Sequence, residues 1–375
     1  MKKNKVLYIG HYRESSAWSR AYIGYARAIR EVGYDVVARP IKLGLPCPTL
    51  DDDILEMENK SSSGCEFVIH HTLPHHYSYD SRFKKNICFY PTESTNFTDC
   101  GWQHYINLMD SGVVFARDSV NASRISGVTI PLSYIPHAVD VNRYDIERKK
   151  IDFGTDDFKF LWVGDHSTRK NLAAVLRAFH SEFDPSEPVS LIIKINSFNT
   201  TENQLLKEVD SVTEKIKTDL RIYPDNKYYK PEIIIPDYID SDAMLDLYNS
   251  IDCYVSTSMG EGWGFNITDA IGMKKMCIGV NYGGVKEQLK FTQLGHLVNY
   301  TESPCTGEHN TFNGLFTGHS NWCSVDIQDL MNKMRLVYKN RNNDYYQREC
   351  EQLRREEIEE YSYESIGRKL QGIIQ

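Results

Sequence analysis

The sequence predicts an α/β chain made of two similar halves, each a doubly wound parallel sheet. Three observations carry this. Short apolar runs that end in glycine or a polar turn alternate with helix-period stretches from residue 6 onward. A charge-rich segment at 145–157 has little apolar periodicity and places a boundary near residue 150. Beyond it the alternation restarts, and 375 residues suit two domains better than one.

In the first half, residues 6–10 form an apolar run ending in Gly10, followed by a polar loop and a helix pattern over 20–32 that Gly33 stops. Residues 35–38, 66–70, 85–90 and 112–116 read as further strands, with helices near 102–109 and 119–126. The acidic run Asp51, Asp52 and Asp53 opens a short helix, where carboxylates favour the helix dipole over a metal. His71 and His75 have the spacing of a zinc pair on a helix, but Pro74 between them favours a loop, whose histidines either line a cleft or form plain loop surface. Glu93 lies just past a strand's carboxyl end, where ligands of such sheets collect.

The second half opens with a strand at 158–163, a loop at 164–169 and a helix at 170–183. Arg169 and Lys170 stand side by side at that turn, where basic groups add to the anion-binding amides of a helix start. Strands at 191–195 and 232–235 and helices at 202–220 and 240–249 lead to an apolar run at 251–255. The stretch that follows, 260–269, reads Gly-Glu-Gly-Trp-Gly-Phe-Asn-Ile-Thr-Asp. Its glycines let backbone amides approach an anion closely, and Glu261 and Asp269 flank it as hydrogen-bond acceptors for sugar hydroxyls. A strand at 276–280 precedes a second glycine turn, Gly283, Gly284 and Glu287. Residues 299–319 read as a variable polar region, 325–338 as a helix, and 345–360 as a charged, exposed helix.

Hydrophobic residues make up 41% of the chain and charged ones 25%, as in an ordinary globular enzyme. A net charge of −8 argues against nucleic acid as the main partner. The apolar runs are too short for a membrane span, and the run at 6–9 is too short for a signal peptide; peripheral membrane association stays open. Nine cysteines without a Cys-x-x-Cys pair predict reduced thiols in a cytoplasmic protein, with no disulfide framework.

Four segments together resemble glycosyltransferase family four, the retaining nucleotide-sugar glycosyltransferases of GT-B fold. Residues 261–269 resemble that family's Glu, seven residues, Glu motif, with Asp269 in the second place. Residues 135–140 resemble its Ile-Pro-Asn-Gly-Val-Asp segment with His137 and Ala138 substituted, 164–171 its Arg-Lys-Gly loop, and 241–254 the helix and strand before the acidic motif. The resemblance implies an N-terminal acceptor domain (1–150), a C-terminal donor domain (151–355) and a final helix (356–375) that crosses back to the first.

Carried over by residue, Glu261 meets the donor sugar and Asp269 the ribose. Gly264, Phe265, Asn266, Ile267 and Thr268 present amides to the sugar and diphosphate, Arg169 and Lys170 neutralise the diphosphate, and Tyr238 lies near the base. On the acceptor side stand Trp18 and His71. The sequence departs from the pattern in three places. Asp165 follows Gly164 where arginine is common, 15–19 lack the Gly-Gly loop, and no histidine ends the strand at 87–90. That last role falls to Glu93 or His71. The implied reaction is metal-free, retaining transfer from a nucleotide-diphosphate sugar, GDP favoured over UDP, to a glycan or other hydroxyl. An epimerase of the same fold and a non-catalytic sugar-binding protein are the alternatives.

Overall fold

The computed structural model describes residues 4–42, 49–197, 200–289, 296–306 and 314–375, and the chain divides into two compact units. The first is Met1–Val141 with Thr311–Ser320 and Ile358–Gln375; the second is Asn142–Asn310 with Asn321–Glu357. The division falls ahead of residue 150 because the charged segment is tied to the second unit. Arg148 pairs with Asp242 at 3.0 Å, the Lys149 amide donates to Asp246 at 3.2 Å, and Asn249 donates to the Arg148 carbonyl at 3.0 Å.

The first unit is a six-stranded parallel sheet. Its strands are β1 (Lys5–Gly10), β2 (Asp35–Pro40), β3 (Phe67–His71), β4 (Lys85–Phe89), β5 (Ser111–Val114) and β6 (Leu132–Tyr134). They lie in the order β2-β1-β3-β4-β5-β6, so the winding reverses between β1 and β3. Helices α1 (Ala17–Glu31), α2 (Asp52–Asn59), α3 (Trp102–Ile106) and α4 (Arg117–Ile125) connect them. Ser16 caps α1 by accepting from the Ser19 amide at 3.3 Å, which satisfies one of the free donors at the helix start. The acids at the start of α2 serve a cation: Arg27 of α1 donates to Asp51 and to both oxygens of Asp53.

The core of this unit is rich in tyrosine, and several of its buried phenols find a partner. Tyr12 donates to Glu58 at 2.9 Å, Tyr22 to the Tyr8 carbonyl at 2.7 Å, Tyr25 to the carbonyls of Ile135 and Pro136 at 3.0 Å each, and Tyr90 to Ser123 at 3.0 Å. The C-terminal helix, Tyr363–Ile374, packs on α1. Gly367 makes this possible, because a Cβ there would stand 2.3 Å from the Ala28 carbonyl oxygen. The Val139 amide donates to the Tyr361 carbonyl at 2.9 Å, which ties the segment after β6 to the C-terminal segment within this unit.

The second unit repeats the plan with β7 (Phe158–Asp165), β8 (Val189–Asn196), β9 (Ile233–Ile235), β10 (Cys253–Ser256), β11 (Met276–Val280) and β12 (Leu297–Val298). Their order is β12-β11-β10-β7-β8-β9, all parallel, with the reversal between β10 and β7. The helices are α5 (Leu172–Glu182), α6 (Glu202–Leu220), α7 (Ser241–Asn249), α8 (Phe265–Gly272), α9 (Gly283–Leu289), α10 (Ile327–Lys339) and α11 (Asp344–Leu353). A buried polar cluster joins α5 and α6 to the start of β9: Glu232 meets His180 on one oxygen and pairs with Lys217, at 3.0 Å, on the other.

Two expectations change here. The polar region at 299–319 is bracketed by a hairpin, β13 (Tyr300–Pro304) pairing antiparallel with β14 (Asn321–Val325). Its outer strand is exposed and polar, so it lacks the apolar run by which strands are read. The stretch expected to be an exposed helix at 345–360 buries one face instead, through Tyr346, Cys350 and Leu353 on α11. Their spacing of three and four is a helical stripe masked by the surrounding charge. The described cysteines are free thiols, and no described helix is long and apolar enough to cross a membrane.

Candidate active site

At the reversal between β10 and β7 the loops after both strands bring Arg169, Lys170 and Glu261 together. Lys170, in the loop after β7, makes an ion pair with Glu261, in the loop after β10, and Arg169 Nη1 lies 3.8 Å from the same carboxylate oxygen. Arg169 also donates to the Gly260 carbonyl at 2.7 Å. Burial pushes the Glu261 carboxyl up, but the charges of Lys170 and Arg169 and the hydrogen bonds from Lys170 and Ser258 more than offset this and hold it below its ordinary value. Glu261 is therefore an anion held between two cations.

Backbone bonds lock the two loops together. The Met259 amide donates to the Arg169 carbonyl at 2.8 Å, and the Thr257 hydroxyl donates toward the carbonyls of Lys170 and Asn171 at 3.1 and 2.9 Å. Trp162 of β7 donates its indole N–H to Thr257 at 3.0 Å. A third loop joins them: the Gly284 amide at the start of α9 donates to the Glu261 carbonyl at 3.0 Å. Gly284 packs so closely that a Cβ there would stand 2.3 Å from Trp263 backbone atoms.

The turn at 260–264 leads into α8 through Gly264, whose φ of 91° suits glycine. Gly264 and Asn266 are half-buried, whereas Phe265, Ile267, Thr268 and Asp269 are buried. The Ile267 amide bonds back to the Gly264 carbonyl at 3.0 Å. Thr268 is committed to an internal network, accepting from Trp263 at 3.0 Å and donating to Gln288 at 2.7 Å. Asp269 lies in the body of α8 and accepts from the Tyr144 hydroxyl at 2.8 Å. Its carboxylate thus has a protein donor at the position where the sequence places a ribose. Tyr238, after β9, is 60% exposed and joins none of these contacts.

Lys194 is a member of the same edge that the sequence reading passed over. It sits near the carboxyl end of β8, in register with Val163 of β7, only 3% exposed. Burial pushes its ammonium down to about 8, against the opposing charge of Asp237. The signal was present as one lysine inside an otherwise apolar strand run.

In the first unit, the corresponding reversal lies between β1 and β3, and His71 ends β3. The Tyr8 hydroxyl is 2.7 Å from His71 Nδ1. Trp18, in the first turn of α1, lies edge-on to His11 and tilted against His71, with ring centroids 5.5 and 5.6 Å apart. Burial, with a smaller contribution from the charge of His11, pushes the His71 imidazole down to about 3, so it is neutral. Glu93 is half-buried in the loop after β4. No group of His, Cys, Asp and Glu among the described residues has the geometry of a metal site.

No protein-family profile matches the chain, and no curated protein matches it in sequence. Solved structures do match over its whole length. Anabaena HepE in complex with UDP-glucose is 12% identical over 98% of each chain, with a TM-score of 0.62. A glycosyltransferase from Rickettsia africae is 14% identical over 100% of this chain and 98% of its own, with a TM-score of 0.63. Sucrose-phosphate synthase from Thermosynechococcus elongatus is 12% identical over 99% of this chain and 98% of its own, with a TM-score of 0.64.

The fold is GT-B.

In this GT-B chain, two Rossmann-like units each present a sheet reversal, and in the second unit the reversal carries Arg169, Lys170 and Glu261.

Proposed function

We propose that the chain is a glycosyltransferase that moves a sugar from a nucleotide-diphosphate donor to an acceptor hydroxyl, with retention and without an essential metal. The observation that carries this is the cluster of Lys170, Arg169 and Glu261 at the carboxyl ends of β7 and β10. Two cations and a glycine turn are what a diphosphate requires, and the carboxylate between them accepts from sugar hydroxyls. Lys170 and Arg169 bind the diphosphate and stabilise the charge that grows on it as the glycosidic bond breaks. Glu261 orients the sugar. A leaving phosphate oxygen takes the acceptor's proton on the same face, so no protein nucleophile is needed.

The fold likeness supports the reading, since HepE was solved with UDP-glucose. We favour a GDP-sugar as donor, with the first unit holding a glycan or other hydroxyl acceptor. Within that unit, His71 or Glu93 faces the reacting sugar. The free thiols fit a cytoplasmic setting.

The test is calorimetry with GDP and UDP, followed by a donor panel assayed for free nucleoside diphosphate with and without acceptors. We expect GDP to bind more tightly than UDP, and nucleotide release to depend on acceptor and persist in EDTA. Donor interconversion without transfer would instead identify an epimerase, and binding without turnover a sugar-binding protein.

A further inference from the structure

The second unit carries a cavity of about 630 Å³ at the amino ends of its strands, the end of the sheet opposite Lys170 and Glu261. The segments that begin β7, β10 and β11 line it, together with the turn after α10 and one face of α11. Ligands of doubly wound sheets collect at the carboxyl ends, so the donor reading has no use for this cavity. Its volume falls in the range of small-molecule sites, about 300–1,000 Å³.

Three cations in its wall lack a carboxylate. Lys159 Nζ donates to the Asp157 carbonyl at 2.8 Å, Lys275 Nζ to the Asn249 carbonyl at 3.0 Å and Arg341 Nη1 to the Tyr338 carbonyl at 2.8 Å. None of the three forms an ion pair among the described residues. Burial pushes the Lys275 ammonium below its ordinary value; Asp252 opposes this and Lys150 adds to it. Arg341 lies over the Tyr338 ring at 4.1 Å, and that ring meets Phe158 at 5.7 Å, so the guanidinium is held beside the start of β7.

The acids of the wall are mostly spent. Asp157 accepts from Ser190 at 2.7 Å and pairs with Lys230 at 2.5 Å, and Glu351 pairs with Lys274 at 3.3 Å. Lys274 itself holds φ at 57°, at the end of α8, a left-handed position that favours glycine. Asp252 accepts the Lys159 amide on Oδ2 at 2.7 Å and keeps Oδ1. With both ion pairs set aside, three cations, Lys159, Lys275 and Arg341, face two acids, Asp156 and Asp252, in a chain whose net charge is −8. Asn342 and Gln347 add side-chain amides that donate and accept.

We propose that this cavity binds a phosphorylated polyol such as a sugar phosphate, its phosphate held by Lys159, Lys275 and Arg341 and its hydroxyls by Asp252, Asn342 and Gln347. A bare phosphate would leave the amides and Asp252 unused, and an uncharged sugar would leave the three cations without a counterion. The site does not depend on the glycosyltransferase reading.

The test is calorimetry with phosphorus-31 NMR on the full chain, using glycerol 3-phosphate, glucose 6-phosphate, inorganic phosphate and glucose as probes. At least one of the two esters is expected to bind, more tightly than inorganic phosphate or glucose. Lys275→Met and Arg341→Gln should each weaken that binding about tenfold, the scale of one charge-assisted contact. Asp156→Asn should tighten it about twofold by removing a like charge, a gain that damage to the fold would not give. Lys170→Met with Glu261→Gln should bind the ester as the parent does, which separates the cavity from the cluster at the carboxyl ends.

If Lys275→Met does not fold, Arg341→Gln and Asp156→Asn, the latter at an exposed position, decide. The proposal is overturned if neither ester binds, if inorganic phosphate binds as tightly as the esters, if the cation variants bind as the parent does, or if the Lys170 and Glu261 double variant loses the binding.

Discussion

Lys170 and Glu261, ninety-one positions apart in the chain, meet as an ion pair across the carboxyl ends of β7 and β10. Neither is well placed to leave the other, because each is about 15% exposed, at 16% and 14%. Replacing one strands a buried charge. Lys170→Met is expected to cut turnover about 10²–10³-fold, the scale for losing one electrostatic stabiliser of a developing anion. It should also lower thermal stability. Lys170→Met with Glu261→Gln should recover that stability without activity, and a double-mutant cycle read by melting and by nucleotide release checks both. Full transfer in a folded Lys170 variant would sink the assignment.

Gly284 gives a structural counterpart. Its absent side chain is what lets α9 seat against Trp263, with the nearest backbone atoms 2.3 Å from where a Cβ would stand. Gly284→Ala should cost at least about 2 kcal/mol by overpacking and should displace the Glu261 loop. A denaturant melt checks the first effect and GDP calorimetry the second.

Acid should destabilise the protein above the carboxylate range. Burial holds His71 down to about 3, with a minor contribution from His11, and pushes His70 and His296 down to about 4, against 6.5 for the free side chain. A lowered folded value means that the unfolded chain binds the proton first. The stability these neutral rings represent is therefore complete above about pH 6.5 and is lost as pH falls from there toward 4 and 3. Each ring contributes about 2 kcal/mol of loss by pH 5. His70→Asn should flatten the fall in melting temperature between pH 7 and 5; an unchanged slope would count against it.

Tyr144 and Asp269 supply a fourth case. Removing the hydroxyl in Tyr144→Phe takes a hydrogen bond from a buried carboxylate and should cost about 2 kcal/mol. If Asp269 also serves the donor's ribose, the variant's KM for donor will rise while the parent's kcat is kept; stability loss alone assigns Asp269 to the scaffold.

The repeated strand and helix order was legible because parallel strands buried on both faces write continuous apolar runs, as in 158–163 and 276–280. The places of the basic pair and of Glu261, just past strand ends, were legible from the apolar runs that precede them. What the sequence concealed was partnership. Nothing local to Asp269 announces Tyr144, nothing local to Thr268 announces Gln288, and Glu14 looks like any loop acid until its burial is seen. The β13–β14 hairpin was missed for a related reason: its stability comes from pairing and not from an apolar period.

The C-terminal helix seated on α1 through Gly367 has a consequence for how the protein is made. During synthesis the first unit lacks that layer until residues near the end of the chain have left the ribosome, so the second unit is translated in full while α1 still waits for its cover. Expression of 1–141 alone should yield aggregation-prone material. A circular permutant that carries 358–375 ahead of residue 1 should restore a soluble first unit.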